Sequence, residues 1–361
     1  MKFSTEKKPI LAALIQANSV VERRNTIPIL GNLLLCLSGN KLTITSTDLD
    51  IEVKIDVEVN GEEDGTTTVS AHLLLGIVKK MSEGVLAEFS TKANGDINFH
   101  SGRSVFNLAT LPHEDYPVAS EKTFENSFTI TGEEMYSILY STIFAVSKEE
   151  TRYYLNGVYF HKVDDKIRGV ATDGHRLALC DVVKDVEDFD SVIIPTKAVN
   201  QILSLCTNEE LTVSTTPSQI KVSAEGVTLI SKVVDGTFPN YTRVIPQNNT
   251  INIEVNSKDI SNASSRVTLV STERTSAVAI NLSKDKIELS LKTQENFASE
   301  EINIEYDGPE LRIGVNSKYL SEVMGRLSGT VKIFFNDNST PMIIKEAANE
   351  NTLYLIMPMR I

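Results

Sequence analysis

Apolar residues fall along this chain in two rhythms. One is the two-residue alternation of half-buried strands; the other is the three-and-four spacing of amphipathic helices. The strand rhythm is clearest in three related stretches. Leu33-Leu34-Leu35-Cys36-Leu37 passes through Ser38-Gly39-Asn40-Lys41 into Leu42-Thr43-Ile44-Thr45-Ser46-Thr47-Asp48. Val158-Tyr159-Phe160-His161-Lys162-Val163 passes through Asp164-Asp165-Lys166 into Ile167-Arg168-Gly169-Val170-Ala171-Thr172-Asp173. Val278-Ala279-Ile280-Asn281-Leu282-Ser283 passes through Lys284-Asp285-Lys286 into Ile287-Glu288-Leu289-Ser290-Leu291-Lys292-Thr293. Each predicts two antiparallel strands joined by a tight polar turn. The turn lysines Lys41, Lys166 and Lys286 stand 125 and 120 residues apart, which is too far for a solenoid. The 361 residues therefore read as three copies of one unit, 1–120, 121–245 and 246–361. Leu111-Pro112 with Tyr116-Pro117, and Phe238-Pro239-Asn240-Tyr241, read as the connections.

Each third also carries two short helical patterns. They are Ile10/Ala13/Leu14/Ala17/Val21 and Leu74/Ile77/Val78/Met81 in the first, and Met135/Ile138/Leu139/Thr142 and Val199/Ile202/Leu203/Cys206 in the second. In the last they are Ile260/Ala263/Val267 and Leu320/Val323/Met324/Leu327. Ser70, Thr196 and Ser317 are placed as caps of the second helices, and Thr131-Gly132-Glu133-Glu134 reads as a capping box. The fold class is α+β: a sheet-rich unit with two helices, used three times.

Composition adds limits. No apolar run approaches the roughly 18 residues of a membrane span, and the N-terminus lacks a signal-peptide core, so the cytoplasm is the expected compartment. Cys36, Cys180 and Cys206 are odd in number and far apart, and are expected to be buried free thiols. Net charge is −13, which alone argues against a conventional nucleic-acid binder. The helices, however, carry Lys7, Lys8, Lys79, Lys80, Lys197, Lys258, Arg266, Lys318 and Arg326, with Arg23 and Arg24 just beyond the first. If the helices line one surface, that surface is basic while the whole chain stays acidic.

The most tempting catalytic string is Thr172-Asp173-Gly174-His175-Arg176. Its Thr-Asp pair recurs as Thr47-Asp48 after the first hairpin, and Asp before Gly is a turn signal, so a structural turn is expected there. His72, His100, His113 and His161 have no ligand spacing, and no phosphate loop, dinucleotide fingerprint or nucleophile elbow is present. Nothing calls for a cofactor or a metal. The C-terminal Tyr354-Leu355-Ile356-Met357-Pro358-Met359-Arg360-Ile361 is apolar, and its methionines suit a groove that adapts to varied partners.

Several long motifs resemble one known family, the bacterial beta sliding clamps of DNA polymerase III. They are Met1-Lys2-Phe3, Ile27-Pro28-Ile29-Leu30-Gly31-Asn32-Leu33-Leu34-Leu35, Arg152-Tyr153-Tyr154-Leu155-Asn156-Gly157, Ala171-Thr172-Asp173-Gly174-His175-Arg176-Leu177-Ala178, Val234-Asp235-Gly236-Thr237-Phe238-Pro239-Asn240-Tyr241 and Met357-Pro358-Met359-Arg360. The resemblance runs from first to last residue. It implies three DNA-clamp domains, each with two helices packed on antiparallel sheets, and a head-to-tail homodimeric ring that encircles duplex DNA. It implies no catalysis. The clamp would confer processivity on the replicative polymerase, and the polymerase alpha subunit, the clamp loader delta subunit, translesion polymerases and repair proteins would share one peptide groove. Carried over by position, that groove is Leu155, Thr172, Gly174, His175, Arg176, Leu177, Pro239, Arg243, Val244, Pro341, Ile356, Met357, Pro358 and Met359. DNA would meet Arg24, Tyr153 and Tyr154; Phe106 and Leu108 of one subunit would meet Leu269 and Val270 of the other. Glu149, acidic beside the expected DNA face, departs from the pattern. A monomeric module that binds protein motifs, and a hydrolase using Asp173 and His175, are the competing readings.

Overall fold

The computed structural model describes residues 1–22, 26–93, 95–118, 123–207, 210–271 and 277–361. The six expected helices form: α1 (Lys7–Asn18), α2 (Ala71–Lys80), α3 (Gly132–Thr142), α4 (Thr196–Leu205), α5 (Ser257–Val267) and α6 (Ser317–Met324). Their apolar stripes are the buried faces, among them Ile10, Leu14, Leu74, Val78, Ile138, Ile202, Ile260 and Leu320. None is long and apolar enough to cross a membrane.

The three hairpins form in matching register. Ser38 pairs with Lys41, Val163 with Lys166 and Ser283 with Lys286, so each turn lysine opens its second strand. Gly39, Asp164 and Asp285 take the left-handed backbone these turns need, which Gly and Asp adopt more readily than most residues.

The chain forms two compact units, and each joins strands from different thirds. The first comprises residues 1–135 and 187–233. It holds a five-stranded antiparallel sheet, Asn60–Glu63, Lys2–Thr5, Ala87–Thr91, Ile97–Ser101 and Ser104–Leu108 in spatial order. Its second sheet has eight strands. There, Ile51–Glu58 of the first third pairs with Val227–Lys232 of the middle third. The second unit comprises residues 136–186 and 234–361. One of its sheets joins Arg176–Val183 to Thr352–Ile356, Leu177 facing Leu355. The other runs Phe297–Asn303, Lys286–Lys292, Ala277–Ser283 and Leu311–Asn316.

Three local expectations are corrected. α6 is capped by the Asn316 carboxamide, which accepts from the Lys318 and Tyr319 amides; Ser317 is its first helical residue. α4 has Pro195 at its cap position, so Thr196 is its first helical residue; Ser70 does cap α2 as expected, though without a side-chain hydrogen bond. Cys180 is buried, but Cys36 is exposed and Cys206 half-buried, because Cys36 occupies a solvent-facing position of its strand. The capping box is present: Glu134 N–H donates to Thr131 Oγ1 at 3.1 Å, and Thr131 N–H to Glu134 Oε2 at 2.8 Å.

Candidate functional site

The turn at 172–176 is built by its own side chains. Thr172 Oγ1 donates to the Arg176 carbonyl at 2.6 Å and accepts from Gly174 N–H at 3.1 Å. Asp173 Oδ1 accepts from the amides of His175 and Arg176 at 2.9 and 3.0 Å. The first third repeats this turn bond for bond. Thr47 Oγ1 donates to the Ile51 carbonyl and accepts from Leu49 N–H, while Asp48 Oδ1 accepts from the amides of Asp50 and Ile51. Leu49 and Gly174 both have positive φ, 79° and 89°. Asp173 is thus a backbone cap whose other oxygen accepts from Arg176 Nε at 3.1 Å; it is not poised as a base for His175.

Arg176 is the buried centre of the site, 7% exposed. Besides Asp173, its guanidinium donates to Glu322 and to the Phe144 carbonyl, the latter at 2.6 Å. Its carbon lies 4.4 Å from the Tyr319 ring centroid and 5.1 Å from that of Phe144. A buried arginine needs this many partners, because an uncompensated buried charge is strongly destabilising.

The C-terminal strand lies against this turn. Arg176 faces Ile356 in the ladder, Met342 faces Ile356 from the other side, and Met357 N–H donates to the His175 carbonyl at 2.9 Å. Two residues on, Met359 N–H donates to the Gly314 carbonyl at 2.8 Å, so the chain crosses from one sheet to the other. Gly314 permits that crossing: a Cβ there would lie 2.5 Å from the Met359 carbonyl oxygen. The result is a buried floor and an exposed rim. Leu155, Leu177 and Ile356 are buried, while His175, Val244, Met357 and Met359 stay exposed.

The segment carrying Pro239, Arg243 and Val244 is held by an aromatic ladder. Phe238 stacks on Tyr159 at 4.9 Å, Tyr159 on His161 at 4.2 Å, and His161 Nε2 hydrogen-bonds Tyr241 Oη at 3.1 Å. Arg168 also donates to Tyr241 Oη, at 3.2 Å, and grips Asp181 through two nitrogens at 2.6 and 2.7 Å. Burial first, and then Arg168, lower the His161 pKa to about 4, so it is neutral near pH 7. Pro239, Arg243 and Val244 are themselves exposed, and Pro341 is half-buried.

The other predicted residues lie in two places. Tyr153, 55% exposed, and Tyr154 sit in a short 3-10 segment, Glu150–Leu155, with rings edge to face at 5.8 Å. Beside them, Glu149 takes the Arg152 guanidinium through both oxygens, at 2.9 and 2.7 Å, which lowers the Glu149 pKa. Arg24 lies outside the described residues. Phe106 and Leu108 belong to the edge strand Ser104–Leu108, where Phe106 borders a 670 Å³ cleft with Leu73, Ile77 and Met81 of and after α2. Leu269 is 82% exposed, and Val270 borders a separate 990 Å³ cleft beside the edge strand Phe297–Asn303.

Some contributors escape sequence reading. Phe144, Tyr319 and Glu322 surround Arg176, yet none stands in a recognisable motif with it; Arg152 opens one of the quoted motifs, but nothing in that motif shows that it packs against Gly174. The basic bias of the helices is also reduced by pairing. Lys197 bonds Asp48 and Glu22, Lys7 bonds Glu83, and Arg266 bonds Glu300.

Family models of the DNA polymerase III beta subunit match the chain in three successive stretches. The N-terminal domain model matches residues 1–120, the central domain model 129–240 and the C-terminal domain model 242–360. A beta sliding clamp of Caulobacter vibrioides is 36% identical over 374 residues, and that of Escherichia coli 33% identical over 368, each match covering 100% of both chains. Among solved structures, a sliding clamp (DNA polymerase III subunit beta) of Bartonella birtlesii bound to griselimycin superposes with a TM-score of 0.96 at 36% identity. A DNA polymerase sliding clamp of Pseudomonas aeruginosa with ligand superposes at 0.95 and 32% identity. Both structural matches cover 100% of each chain.

Proposed function

The chain belongs to the DNA polymerase III beta subunit family, the beta sliding clamps, and from that premise we propose how its surfaces are used. It has the three-domain clamp fold and is a non-catalytic processivity factor for DNA polymerase. In our reading the functional domains are 1–120, 121–245 and 246–361. Two copies close head to tail into a ring around duplex DNA in the cytoplasm. Leu269 and Val270 of one subunit meet Phe106 and Leu108 of the other, with the exposed leucine entering the apolar cleft beside Phe106. Retention by enclosure needs only weak, sequence-independent phosphate contacts, which suits a chain of net charge −13. Arg24, Tyr153 and Tyr154 supply some of them.

The partner groove is the trough over Leu155, Arg176, Leu177 and Ile356, rimmed by Thr172, Gly174, His175, Pro239, Arg243, Val244, Pro341, Met357, Pro358 and Met359. The observation that carries this assignment is the seating of the C-terminal strand on the 172–176 turn, with exposed methionines on a buried floor. Such a surface fits the aliphatic and aromatic anchors of a short peptide. The test is fluorescence anisotropy with a labelled clamp-binding peptide from the polymerase alpha subunit. Met357→Ala and His175→Ala should each weaken binding by about 5–50-fold, equivalent to about 1–2 kcal/mol, and leave the dimer intact. Unchanged affinity in both variants would overturn the groove assignment.

A further inference from the structure

The turn at 47–51 shares more with the partner groove than its own hydrogen bonds. Ile51 faces Ser231 in the ladder as Arg176 faces Ile356, and Ile220 faces Ser231 from the other side as Met342 faces Ile356. Lys232 N–H then donates to the Asp50 carbonyl at 2.8 Å, the counterpart of the bond from Met357 to His175. At an offset of 125 residues, Thr47, Leu49, Asp50, Ile51 and Glu52 stand where the groove has Thr172, Gly174, His175, Arg176 and Leu177. All five border a pocket of 380 Å³, whose walls Pro117, Val118, Ile230 and Lys232 help to complete. Neither the proposed ring interface nor the partner groove includes any of them.

The pocket differs from the groove in its chemistry. Ile51 stands in place of the buried arginine, and the apolar walls are aliphatic, with no methionine or aromatic ring among the described residues. Leu49 holds a φ of 79°, a conformation that glycine adopts freely at the matching position of the groove and that strains a leucine. Its side chain is nevertheless 45% exposed, so burial returns little for that strain. Strain of this kind collects at surfaces that hold ligands. Asp50 and Lys232 form an exposed ion pair at 3.0 Å through Asp50 Oδ1. Among the described residues Asp50 Oδ2 accepts no hydrogen bond, and the Lys232 ammonium donates no other. An acceptor oxygen and spare N–H donors thus stand side by side, the complement of the N–H and C=O of a peptide main chain. Glu52 is buried and paired with Lys54 at 3.1 Å, so the charges of the pocket balance.

We propose that this pocket is a second peptide-binding site. It takes one aliphatic side chain of leucine size against Leu49, Ile51, Val118 and Ile230, and the flanking main chain bonds Asp50 and Lys232. Its 380 Å³ lies at the lower end of the about 300–1,000 Å³ of ligand pockets, which suits one anchor with the peptide units beside it rather than the several anchors of the groove. The proposal rests on the groove assignment, of which this pocket is the counterpart in the first repeat.

The test is NMR of the intact dimer labelled on its Ile, Leu and Val methyl groups, with the partner groove first filled by the unlabelled clamp-binding peptide from the polymerase alpha subunit. The probe is N-acetyl-leucine N-methylamide, a single anchor with one peptide unit on each side. It should shift the methyl signals of Leu49, Val118 and Ile230 saturably, with a dissociation constant on the order of 1 mM. N-acetylglycine N-methylamide, which has no anchor, should leave them in place. Leu49→Asn, which suits the positive φ, should weaken binding at least about 5-fold. Asp50→Ala/Lys232→Ala should weaken it by about 3–10-fold. If either variant does not form a dimer, Val118→Asn on a separate segment decides, with a loss of at least about 5-fold expected. No saturable shift up to about 10 mM probe would overturn the proposal. So would wild-type affinity in Leu49→Asn, or shifts confined to Leu155, Leu177 and Ile356. Failure of the groove assignment reads out separately, as Leu177 and Ile356 signals that the alpha-subunit peptide does not move; the pocket is then judged by the Leu49 shifts alone.

Discussion

Gly314 and His161 act on the groove without forming its surface. Gly314 lets the C-terminal segment cross between sheets, because an added Cβ would lie 2.5 Å from both the Met359 carbonyl oxygen and Ile361 Cγ2. Gly314→Ala should cost about 1–3 kcal/mol of stability and displace Met357 and Met359. Denaturant unfolding and peptide titration should both register it, with peptide affinity falling at least about 5-fold; unchanged values would show that the segment accommodates the methyl group. His161 predicts a pH effect of known sign. Its pKa is 6.5 when unperturbed and about 4 when folded, so between those values the unfolded chain binds more protons. Its stabilising contribution is full above about pH 6.5 and declines by up to about 3 kcal/mol as pH falls towards 4. His161→Gln should flatten the stability curve in that window relative to wild type, read by urea unfolding at half-unit pH steps. Parallel curves would exclude His161 as their source. The turn at 172–176 was legible from sequence because Thr47-Asp48 repeats it, and the same hydrogen bonds form in both places. The shell of Arg176 was not, because Phe144, Tyr319 and Glu322 come from segments far apart in the chain and meet only on folding.

Helices and hairpins were readable because their signals are local. Apolar spacing picked the buried faces, and turn residues placed the hairpins in register. The cap of α6 was misplaced by one residue because Asn316 and Ser317 are both good caps, and the preceding strand ends on the asparagine. Sheet continuity was invisible, since pairing of Ile51–Glu58 with Val227–Lys232 joins strands some 170 residues apart. Edge strands matter most at this scale. Ser104–Leu108 ends one sheet and Phe297–Asn303 another, each beside a cleft. Unpaired edges of this kind are ready to join another chain. Phe106→Asp places a charge where the proposed interface buries an aromatic ring. It should raise the dimer dissociation constant by at least about 100-fold, or about 3 kcal/mol, read by analytical ultracentrifugation. A dimer of wild-type affinity would remove Phe106 from the interface.

At the scale of the whole molecule, function follows from enclosure rather than from tight contact. The acidic balance of the chain, the pairing of several helix cations and the absence of catalysis in the family fit a device that holds DNA by topology. Each wild-type ring should comprise two 39.8 kDa chains. The decisive measurement is retention on circular DNA. The clamp is loaded onto a nicked plasmid by its loader, and gel filtration in 0.5 M salt follows, before and after a single restriction cut. Enclosure predicts that the clamp stays with the closed circle through the salt and is lost when the plasmid is linearised. Equal loss from circle and linear DNA, or equal retention on both, would contradict it.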